Sequence, residues 1–363
     1  MKNKYPIILV LLVVALFASC KKDNPNKTPS TQPVYFPPTG TTEWQTTTAA
    51  SLGWDNTALN NLYPYLQSKG TKAFIILKGG KIVTEKYFGT FTADSLWYWA
   101  SAGKTMTGFL VGIAQQEGLL NINDPTSKYL GTGWTSESVD KENLITLKNQ
   151  LTMTTGLNDA VADPDCTLPG CLVFKANAGT RWAYHNAAYT LLDAVVEKAS
   201  GLSYNAYFQQ KIRDKIGMNG LWIKTPNSNS IYYSNARSMA RFGLLLLNKG
   251  KWSTAAILSD TNYFHRQVNT SQSINLSYGY LTWLNGKSSN MLPQSQIVFS
   301  GAIIPNAPTD LYAALGKNDQ KIYVVPSQQL VIIRMGNTAG GVKPAGSDFD
   351  NELWGKLKAI IKY

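Results

Sequence analysis

A chain of 363 residues that is 44% hydrophobic and only 15% charged can bury a large core in one or two domains, and it is neither disordered nor fibrous. Its formal net charge of +12 is spread through single lysines and arginines rather than gathered in a basic run. That pattern argues against nucleic acid as a partner and leaves a mild attraction to anionic membrane or wall surfaces. Two histidines, His185 and His265, and three cysteines are too few for a zinc centre, and no H-E-x-x-H pattern occurs. A Ser-His-Asp hydrolase is disfavoured on the same count. The G-x-S-x-G elbow also fails, because Trp99 occupies its first glycine position.

Residues 1–19 read as a signal peptide, with Lys2 and Lys4 ahead of an apolar stretch over 7–17. The stretch is short for a membrane-spanning helix, which needs roughly 20 residues. Leu16-Phe17-Ala18-Ser19-Cys20 resembles a bacterial lipobox. That resemblance implies a mature chain beginning at Cys20, acylated there and anchored in the cell envelope, on the periplasmic face or the cell surface. A secreted protein with Cys20 just past the cleavage point is the alternative. Residues 20–45 are polar and rich in Pro, Thr, Asn and Lys, which predicts a flexible tether ahead of a folded body over 46–363.

In the body, 56–69 predicts a helix with Leu59, Leu62 and Leu66 on one face and Pro64 in its middle. Residues 73–77 and 81–88 predict two strands joined by the hairpin signal Lys78-Gly79-Gly80. An aromatic segment, Trp97-Tyr98-Trp99, then runs into Ser101 at the start of a helix that ends near Gly118. Ser101 and Lys104 are three apart and so share one helix face. A serine hydroxyl is a poor nucleophile without a base in reach, and a lysine serves as that base when burial or neighbouring positive charge lowers its pKa. Taken alone, the spacing reads better as an N-cap serine followed by a solvated lysine.

Residues 146–152, 187–199 and 204–216 predict helices, and 221–223 a short strand. Between the first two helices, Cys166 and Cys171 flank Thr167-Leu168-Pro169-Gly170, a turn that a small-loop disulfide would close in an exported protein. The helix beginning near Ser234 carries Arg237 and Arg241, expected to be exposed. Two strong strands over 321–325 and 330–335 surround Pro326-Ser327, and a helix from Ser347 or Asp348 to Ile361 closes the chain. Strands at both ends and a helical middle make an α+β layout. One antiparallel sheet is flanked by the first and last helices, with an α/β lobe at about 46–105 and 220–363 and an inserted helical lobe at about 106–219.

Three motifs in order carry a family resemblance: Ser101-x-x-Lys104, the run Leu151-Thr152-Met153-Thr154-Thr155-Gly156-Leu157, and Tyr184-x-Asn186. Together they resemble the serine β-lactamase and penicillin-binding-protein superfamily over most of the chain from about Ala50 onward. Within it the chain is most similar to class C-like esterases, D-aminopeptidases and 6-aminohexanoate-dimer hydrolases. The 320–326 run and the Arg241 helix look most like the last of these. The resemblance implies an exported serine hydrolase acting on an amide or ester of a small molecule or short peptide, with no cofactor.

Ser101 would be the nucleophile, and Lys104 with Tyr184 the acid–base pair. The tyrosine would ionise beside two lysines or pass a proton through Lys104. Asn186 would hold Lys104 or a substrate amide. The third motif of the superfamily, K-T-G or H-x-G, would be Lys317-Asn318-Asp319. Lys317 would take the cationic place and Asn318 the middle one, with an oxyanion donor from the backbone of Gln320 or a neighbour. Asp319 stands where relatives have glycine. Its side chain is expected to crowd the substrate, and its charge to repel an anionic one. A polar hairpin turn is the other reading of this segment. A non-catalytic envelope binding module on the same fold is the alternative for the whole chain, and Asp319 is the feature that favours it.

Overall fold

The computed structural model describes Met1, residues 33–340 and residues 347–363. The expected signal peptide, the lipidated Cys20 and the tether as far as residue 32 lie outside the described residues. From Pro33 to Tyr363 the chain is one compact unit.

Helix α1, Asn56–Ser68, is capped by the Asp55 side chain, buries Leu59, Leu62 and Leu66, and continues through Pro64. Strands β1, Thr71–Lys78, and β2, Lys81–Tyr87, pair across the Gly79-Gly80 turn. A short strand β3, Trp97–Tyr98, precedes a single 3₁₀ turn at Ala100–Ala102 and helix α2, Gly103–Gln116. Every residue of α2 from Gly103 to Ala114 is buried, which makes it the central helix of the body. Helices α3, Leu147–Leu151, and α4, Asn186–Ser200, follow. The helix expected over 204–216 forms, with a π-helical turn at Gln209–Arg213. Strands β4, Leu221–Lys224, and β5, Ser230–Ser234, make a small sheet with β3 in the order β3-β5-β4. After α5, Ala236–Leu247, come β6, Trp283–Leu284, β7, Tyr312–Gly316, β8, Gln320–Val325, β9, Leu330–Gly336, and finally α6, Asp348–Ile361.

The main sheet has six strands, all antiparallel, in the order β2-β1-β9-β8-β7-β6. Strands β8 and β9 are buried throughout, which their nearly unbroken apolar runs require. Tyr323 of β8 meets Trp354 of α6 at 5.5 Å between ring centroids. A methyl on its neighbour's opposite number in α5, Gly243, would lie 3.0 Å from Ile322. Successive strand residues point to opposite faces, so α5 and α6 cover opposite sides of the sheet. The first and last helices pack together, as the α+β layout anticipates.

Two expectations are corrected. The segment 33–45 is docked, not free. The Tyr35 N–H donates to Gly79 O at 2.9 Å, Phe36 packs edge-on against Trp252, and the Trp44 indole N–H donates to Gly80 O at 2.8 Å. Its aromatic residues have apolar partners that a polar composition averages away. Arg241 is only 5% exposed because this segment covers it. The guanidinium lies over Trp44 and Trp252 and donates to the Pro38 and Ile216 carbonyls.

Candidate active site

The aromatic segment before Ser101 is fixed from two sides. Trp97 and Tyr98 pair with Ser234 and Tyr233 of β5, and the buried Trp99 indole N–H donates to Ser234 Oγ at 2.8 Å. Ala100 then adopts a left-handed φ of 47°. This conformation is uncommon for a residue with a Cβ and turns the chain abruptly into α2. Ser101 comes out of that turn half-buried, one turn before the helix proper.

Lys104 lies beneath it, 1% exposed, with Nζ 2.9 Å from Ser101 Oγ. The amine sits over the Tyr189 ring at 4.1 Å and the Tyr184 ring at 4.9 Å from their centroids. Burial pushes it down to about 7, against a partial upward pull from the Asp165 carboxylate. A large share of Lys104 is therefore neutral at physiological pH, which is what a base toward a serine hydroxyl requires.

Tyr184 comes from the loop before α4. Its ring stacks on Trp283 at 5.6 Å, and its hydroxyl interacts with Ser101 and Trp283. Burial pushes this hydroxyl well above the usual phenol range, so it stays protonated. That corrects the expectation of an ionised tyrosine between two lysines. Lys104 lies 4.9 Å from the ring centroid, and desolvation is the largest influence on the hydroxyl. The Leu151–Leu157 run braces this loop from below. The Ala183 N–H donates to Met153 O at 2.9 Å, and the Gly179 N–H to Thr154 O at 2.8 Å. Gly156 has φ 84°, and a Cβ there would stand 2.1 Å from Ala176 O, so only glycine fits.

Asn186, the first residue of α4, donates from Nδ2 to Asp165 Oδ1 at 2.7 Å and leaves its own Oδ1 without a protein partner. It holds Asp165, not Lys104. Asp165 directly precedes the Cys166–Cys171 disulfide, which forms as expected. His185 is buried with neither ring nitrogen bonded, and burial pushes it down to about 4, so it is a neutral interior residue.

The third segment meets the Ser101 turn directly. A Cβ on Gly316 would lie 2.4 Å from Trp99 O and 3.0 Å from Ala102 N. Lys317 is exposed at the cavity, and Asn318 Nδ2 donates to the Tyr98 hydroxyl at 2.7 Å. Asp319 does not reach a substrate. Its carboxylate turns inward, accepting from Ala339 N–H at 2.9 Å and Ser347 Oγ at 2.7 Å and pairing with Lys321 at 3.3 Å. The expected crowding and repulsion therefore do not occur, because φ of 60° at Asn318 and Asp319 sends that side chain into the body. The Gln320 side chain is also interior. It donates to Gly336 O at 2.7 Å and accepts from Gly336 N–H at 3.1 Å.

Ser101, Tyr184, Asn186 and Lys317 line one cavity of about 440 Å³, together with Asp159, Asp165 and Asn229. Lys104 reaches it through Ser101, whose Oγ accepts from Nζ at 2.9 Å. Three larger cavities, about 690, 510 and 500 Å³, hold none of these residues. Tyr189, Asp165, Asn229 and the aromatic pair Tyr278 and Trp283 were not singled out from the sequence. The run Tyr278-Gly-Tyr-Leu-Thr-Trp283 was a visible aromatic cluster, whereas Asp165 had no signal beyond its place beside Cys166.

The family described as Beta-lactamase matches residues 67–353. The beta-lactamase of Escherichia coli K12 is 31% identical over 150 residues, 39% of this chain. The match spans about two fifths of the E. coli protein, 39% of its length. An uncharacterized protein of Alkalihalophilus pseudofirmus is 24% identical over 316 residues, 77% of this chain and 87% of its own. Among solved structures, a candidate 6-aminohexanoate-dimer hydrolase from Bacillus anthracis superposes with a TM-score of 0.65 at 18% identity, covering 90% of both chains. A D-stereospecific amidohydrolase from Streptomyces sp. superposes with a TM-score of 0.58 at 14% identity, covering 84% of this chain and 98% of its own. At these identities the two structures speak for the fold.

Proposed function

This chain belongs to the beta-lactamase family, and from that premise we propose that it is an exported serine hydrolase that cleaves a linear amide or ester through an acyl-enzyme on Ser101. The observation that carries the reading is the Lys104 amine, buried and largely neutral, 2.9 Å from Ser101 Oγ.

The Lys104 lone pair takes the Ser101 Oγ–H proton as Oγ bonds to the substrate carbonyl carbon. The carbonyl oxygen becomes an oxyanion, stabilised by the Ser101 backbone N–H and a second donor from the 317–320 turn. Collapse breaks the bond to the amine or alcohol, which leaves with the proton carried by Lys104 and relayed through the Tyr184 hydroxyl. Water repeats the sequence. Its proton goes to Lys104, its oxygen to the acyl carbon, and Ser101 Oγ recovers a proton as the carboxylic acid departs. Lys317 at the cavity edge offers a cation to an anionic end of the substrate. Asp319, which favoured a binding module, turns away from the cavity and removes that support.

The test is p-nitrophenyl acetate with intact-mass analysis. One acetyl adduct mapped to Ser101 is expected, with turnover lost in Ser101→Ala by several orders of magnitude, roughly 10⁶-fold in a comparable unit, and severely reduced in Lys104→Ala and Tyr184→Phe. Full turnover in Ser101→Ala would sink the reading. We also propose a lipid anchor at Cys20, supported by the lipobox-like residues 16–20. Cys20→Ala should move the protein from the membrane to the soluble fraction, and an unchanged membrane fraction would remove that proposal.

A further inference from the structure

Asp165 belongs to none of the motifs, yet three observations converge on it. It lines the cavity that opens on Ser101. Its Oδ1 accepts from Asn186 Nδ2 at 2.7 Å, at the head of the helix that carries Tyr189 over Lys104. It is the carboxylate whose charge acts on the buried Lys104 amine. Its own position is held tightly. Its N–H donates to Asp163 Oδ1 at 3.0 Å. Pro164 O accepts the Ala187 N–H of α4 at 3.0 Å. Cys166, the next residue, is bonded to Cys171 and donates its N–H to Asp163 O at 3.2 Å.

Resting on the hydrolase reading above, we propose that Asp165 is the positioning residue of this site: it fixes Asn186 at the head of α4 and balances the positive charge that Lys104 acquires on taking the Ser101 proton. That transfer creates a cation in a dry pocket, where an unbalanced charge is costly. The faces of Tyr184 and Tyr189 offset part of the cost. A full negative charge offsets more.

The other titratable groups around Lys104 do not supply one. Tyr184, Tyr189 and Tyr278 are held protonated by burial. His185 is held neutral. Asp159 is engaged by Arg181 at 2.6 Å. Asp193, further along α4, acts on Tyr189 and Tyr204 and is itself pushed up by burial. Lys317 carries the wrong sign. Asp165 is thus the counter-charge among the described residues, and the disulfide beside it keeps its loop in register with α4.

Asp165→Asn keeps the shape and the acceptor to Asn186 while removing the charge. Without the carboxylate the ammonium form of Lys104 is less favoured, so the neutral amine persists to lower pH but is a weaker base. The acid limb of kcat/KM for p-nitrophenyl acetate should move to lower pH by ~0.5 unit or more, and the plateau should fall by about 10-fold or more. Asp165→Glu should return the limb toward that of the native protein, which a merely structural role would not produce. Ser101→Ala, assayed alongside, separates the two claims. If it keeps turnover, the hydrolase reading fails. If it is inactive while Asp165→Asn keeps both the native limb and the native plateau, the role of Asp165 is overturned. Should Asp165→Asn not fold, the native protein with Cys166–Cys171 reduced serves instead. A shift of the same limb in the same direction, reversed on reoxidation, supports the proposal, and an unchanged profile overturns it.

Discussion

Below pH 7 Lys104 takes up a proton, and the reaction should lose its base. The amine has an ordinary value of 10.5 and sits at about 7 in the fold. kcat/KM is therefore expected to fall tenfold per pH unit below about 7. A pH-independent rate down to pH 5 would exclude Lys104 as the base. The same shift bears on stability. Between about 7 and 10.5 the unfolded chain holds a proton on Lys104 that the folded protein lacks, so stability rises with pH across that window. Below it the buried amine is a full cost. Lys104→Met should abolish turnover yet raise the melting temperature, by about 2–4 °C for each kcal/mol recovered, and more at pH 6 than at pH 10. A lower melting temperature at both values would show that the amine stabilises the fold. Asp319 gives the opposite case. Asp319→Gly relaxes a left-handed backbone but leaves Ala339 N–H, Ser347 Oγ and buried Lys321 short of a partner. A loss of about 2–4 kcal/mol in urea unfolding is expected, with no gain in activity. The pairing of Ser101 with Lys104 was legible because their spacing puts them on one face. The direction of Asp319 was not, because two consecutive positive φ angles decide it.

At the scale of elements, the Ser101 turn is set by what presses on it. Strand β7 ends at Gly316 against Trp99 O and Ala102 N. Gly316→Ala would drive a methyl into that turn and displace Ser101 from Lys104. A displacement near 1 Å costs about 10²-fold in rate, so turnover should drop by that order while circular dichroism stays native. Native-level turnover would mean that the turn and β7 move together. Most helices and both terminal strand pairs were legible from their apolar periods and caps. The bracing of Trp97-Tyr98 by β5, 130 or more residues away in sequence, was not, since a two-residue strand has no period to read. Arg241 was misread for a related reason. A local pattern makes it the polar face of α5, and only the docked 33–45 segment shows what covers that face.

Across the whole molecule, the sheet is cross-linked by buried charge. Lys321 pairs with Asp350 of α6 at 2.8 Å, the Tyr323 hydroxyl donates to the same carboxylate, and Arg334 bonds Thr71 Oγ1 and the Lys69, Asp319 and Asn337 carbonyls. Asp350→Ala would leave Lys321 buried without that partner and remove the Ser347 cap of α6. We expect a loss of about 3–5 kcal/mol and an earlier urea midpoint. An unchanged midpoint would mean that water or Asp319 replaces the lost carboxylate. The α+β class and the antiparallel sheet were legible because β8 and β9 read as nearly unbroken apolar runs at one end of the chain and β1 and β2 as a hairpin at the other. The ionic network inside them was not, because Lys321 and Arg334 look in sequence like edge charges and are fully buried in space.

The dryness around Lys104 also makes the site a hygrometer for its own fold. In the proposed mechanism the amine serves as a base at neutral pH only while Tyr184 and Tyr189 keep water from it. When warming loosens those two rings, hydration returns Lys104 toward an ordinary ammonium, and activity fades although the sheet is intact. That fading is reversible by alkali alone. At pH 10 a hydrated lysine is again partly neutral, and the warmed protein should work without being refolded.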